Sequence, residues 1–178
     1  IVANTFWDPQ RQELYKMSNL KTRNDASYYG GEPIWITAQK QGIKTGNIYW
    51  VGSDIAVKRQ HPTYYHVYDQ KPRLTQTERV AEALRMLKLP EEERPQLVMI
   101  YFEDSDTYGH TYSPHSKETR RCVEELDALM KYLWEGLQSL PFGKDINLIV
   151  TSDHGMATVS ADRFVPIKHL LNEKWYSL

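Results

Sequence analysis

Cysteine occurs once in the 178-residue sequence, at Cys122. Neither an intrachain disulfide nor a cysteine-based zinc cluster is therefore available, and any metal must be held by histidine and carboxylate. No run approaches the roughly 18 apolar residues that would span a bilayer, and no basic-then-apolar leader opens the chain. The first residues, Ile1 and Val2, include no initiating Met, so the missing leader is uninformative about secretion. An excess of charge of one sign is also lacking. Lys plus Arg number 22 against 23 Asp plus Glu, a net charge of -1, which offers no electrostatic footprint for a nucleic acid duplex or an anionic membrane. An anionic ligand would have to be held by local groups. With no repeat, low-complexity tract or linker, the length fits one compact domain.

Aromatic residues are plentiful, with 12 Tyr and 5 Trp, many of them between residues 28 and 68. Such crowding serves core packing and equally a cleft that binds a ring or a base. Residues 1 to 32 read as polar and irregular, the stretch from Asn19 to Gly31 as loop. Ile34 to Gln41, between Pro33 and Gly42, reads as a short helix. Ile43 to Val51 alternates apolar and polar residues like a strand. After a second irregular stretch, Thr75 or Thr77 can cap a helix carrying Val80, Leu84 and Leu87, which Pro90 stops. Leu97 to Phe102 is an apolar run suited to a strand buried on both faces. Val123, Leu126, Met130, Leu133 and Leu137 mark a long amphipathic helix over about 115 to 139, and Ile146 to Val150 reads as a further buried strand.

Strands alternating with helices argue for an α/β fold with a predominantly parallel sheet and helices on both faces. Two polar clusters then follow strands. Asp106 and His110 lie in Asp-Thr-Tyr-Gly-His after the Leu97 run, where Gly109 would let a loop turn tightly. Asp153 and His154, in Ser-Asp-His-Gly, follow the Ile146 run. Open parallel sheets place ligands beyond the carboxyl ends of their strands, so both clusters are expected to face one site. Carboxylate oxygen with imidazole nitrogen suits zinc, and two half-sites of one Asp and one His each suggest two metals, as in two-metal hydrolases. The plainer readings are a loop Asp capping the next helix with an exposed His, and an ordinary turn at Asp153. The histidines at 61, 66, 115 and 169 lack such companions and are assigned to surface or packing.

Several segments, in order and spacing, resemble the nucleotide pyrophosphatase/phosphodiesterase family of the alkaline phosphatase superfamily. They are Gly31-Glu32-Pro33-Ile34-Trp35 with Thr37-Ala38, Trp50-Val51-Gly52-Ser53-Asp54, Leu89-Pro90 with Glu93-Arg94-Pro95, Asp106 through His110, and Ser152-Asp153-His154-Gly155-Met156. The resemblance implies an alkaline-phosphatase-like fold and two zinc ions. It also implies a threonine nucleophile that passes through a covalent phospho-threonine. Asp106 and His110 would hold one zinc together with a histidine further downstream. Asp153 and His154 would hold the other with an upstream aspartate and the nucleophile. Asn4 matches an asparagine that donates a hydrogen bond to a phosphate oxygen, an exposed loop Asn being its plain alternative. Trp50, Asp54 and Tyr68 would form the nucleoside pocket, with Tyr68 stacking on a base and core packing the alternative for Trp50. Gly30, Val51 and Ser105 depart from the usual Lys, Pro and Pro of the family.

The nucleophile segment and the last metal histidine are expected before Ile1 and after Leu178, which makes residues 1–178 an internal part of a larger phosphodiesterase catalytic domain. The expected activity is zinc-dependent hydrolysis of phosphodiester or pyrophosphate bonds in nucleotides or related diesters, in a periplasmic or secreted bacterial protein. A phosphomonoesterase or lipid phosphodiesterase of the same superfamily, or an inactive binding domain, are the alternatives. A sulfatase is the easiest alternative to set aside, since Cys122 is followed by Val123-Glu124-Glu125 rather than the Cys-x-Pro-x-Arg such enzymes need.

Overall fold

The computed structural model describes residues 3–166 and 170–172. It divides into two compact units, Ile1–Glu103 with Leu126–Asn147, and Asp104–Glu125 with Leu148–Leu178. Each is taken separately.

The first unit is built on a parallel three-stranded sheet. β3 (Thr45–Ile48) lies between β4 (Tyr64–His66) and β5 (Leu97–Ile100), with Gly46 opposite Tyr64 on one side and Val98 on the other. Helix α3 (Gln76–Leu87) starts where Thr75 Oγ1 accepts from Glu78 N at 3.3 Å and Glu78 Oε2 accepts from Thr75 N at 2.7 Å, a reciprocal capping box. Successive residues of β5 go to opposite faces. Val98 and Ile100 pack with Ile48, Ala83 and Met86, while Met99 packs with Trp35, Ile36 and Val57. The sheet is thus covered by α3 on one face and by α2 (Ile34–Lys40) on the other. Gly46 is needed for that approach, because a Cβ there would lie 2.7 Å from Met86 Sδ. Behind α3, Val80 and Leu84 meet Leu133, Leu137 and Leu140 from the far end of α5 (Lys117–Gln138).

Residues 3 to 32 are more ordered than their polarity predicts. β1 (Thr5–Asp8) and β2 (Glu13–Lys16) form an antiparallel hairpin in which Phe6 stacks on fully buried Tyr15, ring centroids 4.8 Å apart. Asp8 Oδ1 closes the connection by accepting from Gln10 N and Arg11 N. The expected loop from Asn19 contains α1 (Leu20–Arg23), capped by Asn19, and a 3-10 turn at Ala26–Tyr28, capped by Asp25.

In the second unit, α4 (Asp104–Tyr112) replaces the loop expected around Asp106. The buried strand expected at Ile146 to Val150 is absent. No described strand pairs with it, and Ile149 and Val150 are 84% and 69% exposed. An apolar run satisfies the burial signal of a strand, but without a partner its backbone groups have no ladder to join. Among the described residues no helix is long and apolar enough to cross a membrane.

Candidate functional site

Asp106 and His110 meet because α4 places residues i and i+4 on one face, not because Gly109 turns a loop. His110 Nε2 lies 3.4 Å from Asp106 Oδ1. Gly109 has a different task, since a Cβ there would collide with the Sδ of Met156, and its bareness lets the Asp153–Met156 segment close on α4. That closure brings His154 Nε2 to 3.7 Å from Asp106 Oδ1 and 3.8 Å from Asp153 Oδ2. All four residues named from the sequence therefore form one linked chain, His110 to Asp106 to His154 to Asp153, although no second parallel strand delivers the last two.

The tautomer of His154 is fixed by its neighbour. Nδ1 lies 2.8 Å from the Gly155 carbonyl, which can only accept, so Nδ1 carries the proton and Nε2 is left facing two carboxylates. The Gly155 hydrogen bond first, then the charges of Asp153 and Asp106, hold the imidazole above its ordinary value against some desolvation. In the neutral ring this nitrogen turns a lone pair towards two anions, so the carboxylates favour positive charge here, carried either by a proton or by a bound cation. Ligands about 2.0–2.2 Å from a tetrahedral zinc stand roughly 3.4 Å from one another, so the spacings found here suit pairs of ligands. Among the described residues no three such side chains are grouped about a single ion. The set offers pairs, each needing a further donor. All four side chains are open to solvent, from 43% for Asp106 to 74% for Asp153.

The residues assigned to a nucleoside pocket lie in the first unit. Asp54 and Tyr68 are joined, Asp54 Oδ2 accepting from Tyr68 N at 3.1 Å. Half-buried Trp50 instead packs with the Trp35, Ile36 and Ile55 cluster. Asn4 is exposed, its carbonyl accepting from Met17 N at 2.8 Å. Tyr49, the residue after β3, is buried with φ at 58°, a costly backbone for a bulky residue. Its hydroxyl accepts from Leu74 N at 2.9 Å, and its ring meets Tyr68 edge to face at 5.8 Å.

Charged residues that the sequence did not single out complete this cluster. Arg79, 6% exposed, forks onto Glu103 at 2.6 and 3.1 Å and donates to the Tyr101 carbonyl at 2.9 Å. Arg73 reaches the same carboxylate at 2.7 Å. Burial opposes ionisation of Glu103, but the Arg79 hydrogen bonds and the two guanidinium charges outweigh it and hold the carboxyl below its ordinary range. Elsewhere, His61 stacks on Tyr65 at 4.5 Å, His66 Nε2 lies 3.1 Å from Glu82, and His115 is exposed. His169 falls outside the described residues. A recess of about 300 Å³ beside β4 is lined by His66, Glu82 and Arg85 among others and contains none of the candidate residues.

Comparison with known proteins places the chain in a family. The family model described as "Type I phosphodiesterase / nucleotide pyrophosphatase" matches residues 1–178. The chain belongs to this family. It is similar to ectonucleotide pyrophosphatase/phosphodiesterase family member 1 of Homo sapiens, 33% identical over 173 residues, covering 97% of this chain and 18% of the relative. Venom phosphodiesterase CdcPDE of Crotalus durissus collilineatus is 36% identical over 163 residues, covering 92% of this chain and 19% of the relative. A solved structure of an inactive threonine-to-alanine variant of murine ectonucleotide pyrophosphatase/phosphodiesterase 5, in complex with AMP, superposes with a TM-score of 0.85 at 30% identity. It covers all of this chain and 46% of that one. The phosphodiesterase-family chain thus has the alkaline-phosphatase-like α/β fold that its sequence predicts, and it spans about a fifth of the curated relatives it matches.

Proposed function

We propose that these residues form part of the catalytic domain of a hydrolase that cleaves phosphodiester or pyrophosphate bonds in nucleotides or related diesters. It would work with two zinc ions and a threonine nucleophile contributed from outside residues 1–178. The observation that carries this reading is the chain His110, Asp106, His154, Asp153, with a protonated Nδ1 holding the His154 lone pair towards two carboxylates. Family membership supports assigning such a donor set to phosphodiester or pyrophosphate hydrolysis.

Asp106 with His110 would hold one ion and Asp153 with His154 the other, each completed by donors beyond these residues. Bound zinc supplies positive charge against the charge that develops on the phosphoryl group and on the attacking and leaving oxygens. The chain's own contribution is positional. The Gly155 carbonyl orients the His154 ring, and α4 holds His110 beside Asp106. Asn4 would donate to a phosphate oxygen, and Asp54, Tyr68 and Trp50 would receive the nucleoside, consistent with AMP in the murine relative, whose inactive threonine-to-alanine variant is in turn consistent with a threonine nucleophile. The names "ectonucleotide" and "venom" of the relatives support an extracellular or secreted protein.

The test is hydrolysis of a nitrophenyl nucleotide ester by the full-length protein, before and after chelation and after zinc is restored. Activity that is lost to chelator and recovered with zinc supports the reading. Zinc-independent turnover, or preference for a phosphomonoester, overturns it.

A further inference from the structure

Arg73 lies on the ring that the proposed function assigns to the base, and the way it is held points to a role. Its guanidinium carbon stands 4.0 Å from the Tyr68 ring centroid and 5.1 Å from that of Tyr49. One amino group is anchored on Glu103 at 2.7 Å, and Glu103 is itself locked by the Arg79 fork. Arg73 Nε is buried with no hydrogen-bond partner among the described residues. A buried donor left unpaired is costly, so the guanidinium is not oriented to make the most hydrogen bonds. The stacked pose on Tyr68 is what the anchoring secures.

We propose that Arg73 is a positioning residue for nucleotide binding, acting through Tyr68. This rests on the reading of Tyr68 as the base-stacking residue. The guanidinium covers one ring face, leaving at most the opposite face of the half-buried ring for a ligand. With the Tyr49 edge contact and the Asp54 bond to the Tyr68 backbone, it fixes the ring before substrate arrives, so less ordering is left to be lost on binding. There is an electronic consequence as well. Aromatic faces repel one another when stacked squarely, because both are electron-rich. A cation behind Tyr68 draws that density back and makes the free face a better platform for a base.

The test uses the full-length protein and two substrates, the nitrophenyl ester of thymidine 5′-monophosphate and methyl nitrophenyl phosphate, which has no base. Arg73→Met should raise KM for the nucleotide ester roughly three- to tenfold, the scale of one cation–π contact, with kcat changed less than about twofold. The base-free diester should be unaffected. Arg73→Lys restores a cation without the planar fork and should recover part of the loss. Tyr68→Ala with Arg73→Met should be no worse than Tyr68→Ala alone. If Arg73→Met weakens both substrates equally, or the double variant is additive, Arg73 only supports the fold and the proposal is overturned. The same holds if Tyr68→Ala raises KM for the ester while Arg73→Met and Arg73→Lys do not, in which case base stacking stands without Arg73. Should Tyr68→Ala itself leave KM for the ester unchanged, the base-stacking reading fails, and this proposal with it.

Discussion

Replacing Arg79 by Met keeps most of the side chain's apolar stem but removes the fork that holds Glu103. Arg79 is 6% exposed and makes four hydrogen bonds, two to the carboxylate and one each to the Tyr101 and Leu74 carbonyls. Removing one partner of a fully buried ion pair costs roughly 3–5 kcal/mol. Here the loss should be smaller, about 2 kcal/mol at neutral pH, because Glu103 is 22% exposed and keeps Arg73. The pH dependence carries its own sign. Glu103 sits below its ordinary value of 4.5, so its ionised form stabilises the fold above that pH, and the contribution fades as pH falls through the folded-state value. The gap between wild type and Arg79→Met should therefore be widest near neutrality and shrink on acidification. Urea denaturation followed by tryptophan fluorescence from pH 7 to pH 3 measures both. Coincident midpoints at pH 7, or a gap that widens towards acid, would refute the assignment of Glu103 as the paired, depressed carboxylate.

Further outcomes follow from other parts of the molecule. In the full-length protein, Tyr68→Ala should raise KM for nucleotide esters more than it lowers kcat, since stacking is felt alike in ground and transition states; steady-state kinetics decide it. Gly46→Val should cost about 1–3 kcal/mol through overpacking against Met86, read as a lower urea midpoint. Residues 1–178 alone should bind zinc weakly and turn over no nitrophenyl nucleotide ester, because each Asp–His pair brings two ligands where catalytic zinc usually takes three. Calorimetric titration beside the full-length protein checks this, and tight binding of two ions by the shorter piece would show that the missing donors have been misplaced.

The elements legible in the sequence are those whose signal is local. The Thr75 cap with Glu78, the apolar run at Leu97–Ile100 and the 3.6-residue period of α5 each place their element. What escaped depends on partners. β1 and β2 are four-residue strands recognisable only once Phe6 and Tyr15 stack, and β4 is three residues beside β3. The Ile146 to Val150 run shows the converse, a strand composition without a pairing neighbour. The spacing of Asp106 and His110 marks them as a pair, yet Gly109 disguises a helix as a loop, because its role is to admit Met156 rather than to bend the chain. Arg73 and Arg79 were invisible as partners of Glu103, 30 and 24 positions away, since no periodicity connects charges so far apart.

The central claim is that Asp106, His110, Asp153 and His154 hold zinc in this phosphodiesterase-family protein. Metal analysis of the full-length protein by atomic emission, purified without chelator, tests it most directly when Asp106→Ala and His154→Ala are run beside the wild type. The account predicts two zinc ions per wild-type molecule and the loss of at least one in each variant. A wild-type protein without zinc, or variants that retain both ions, would contradict it.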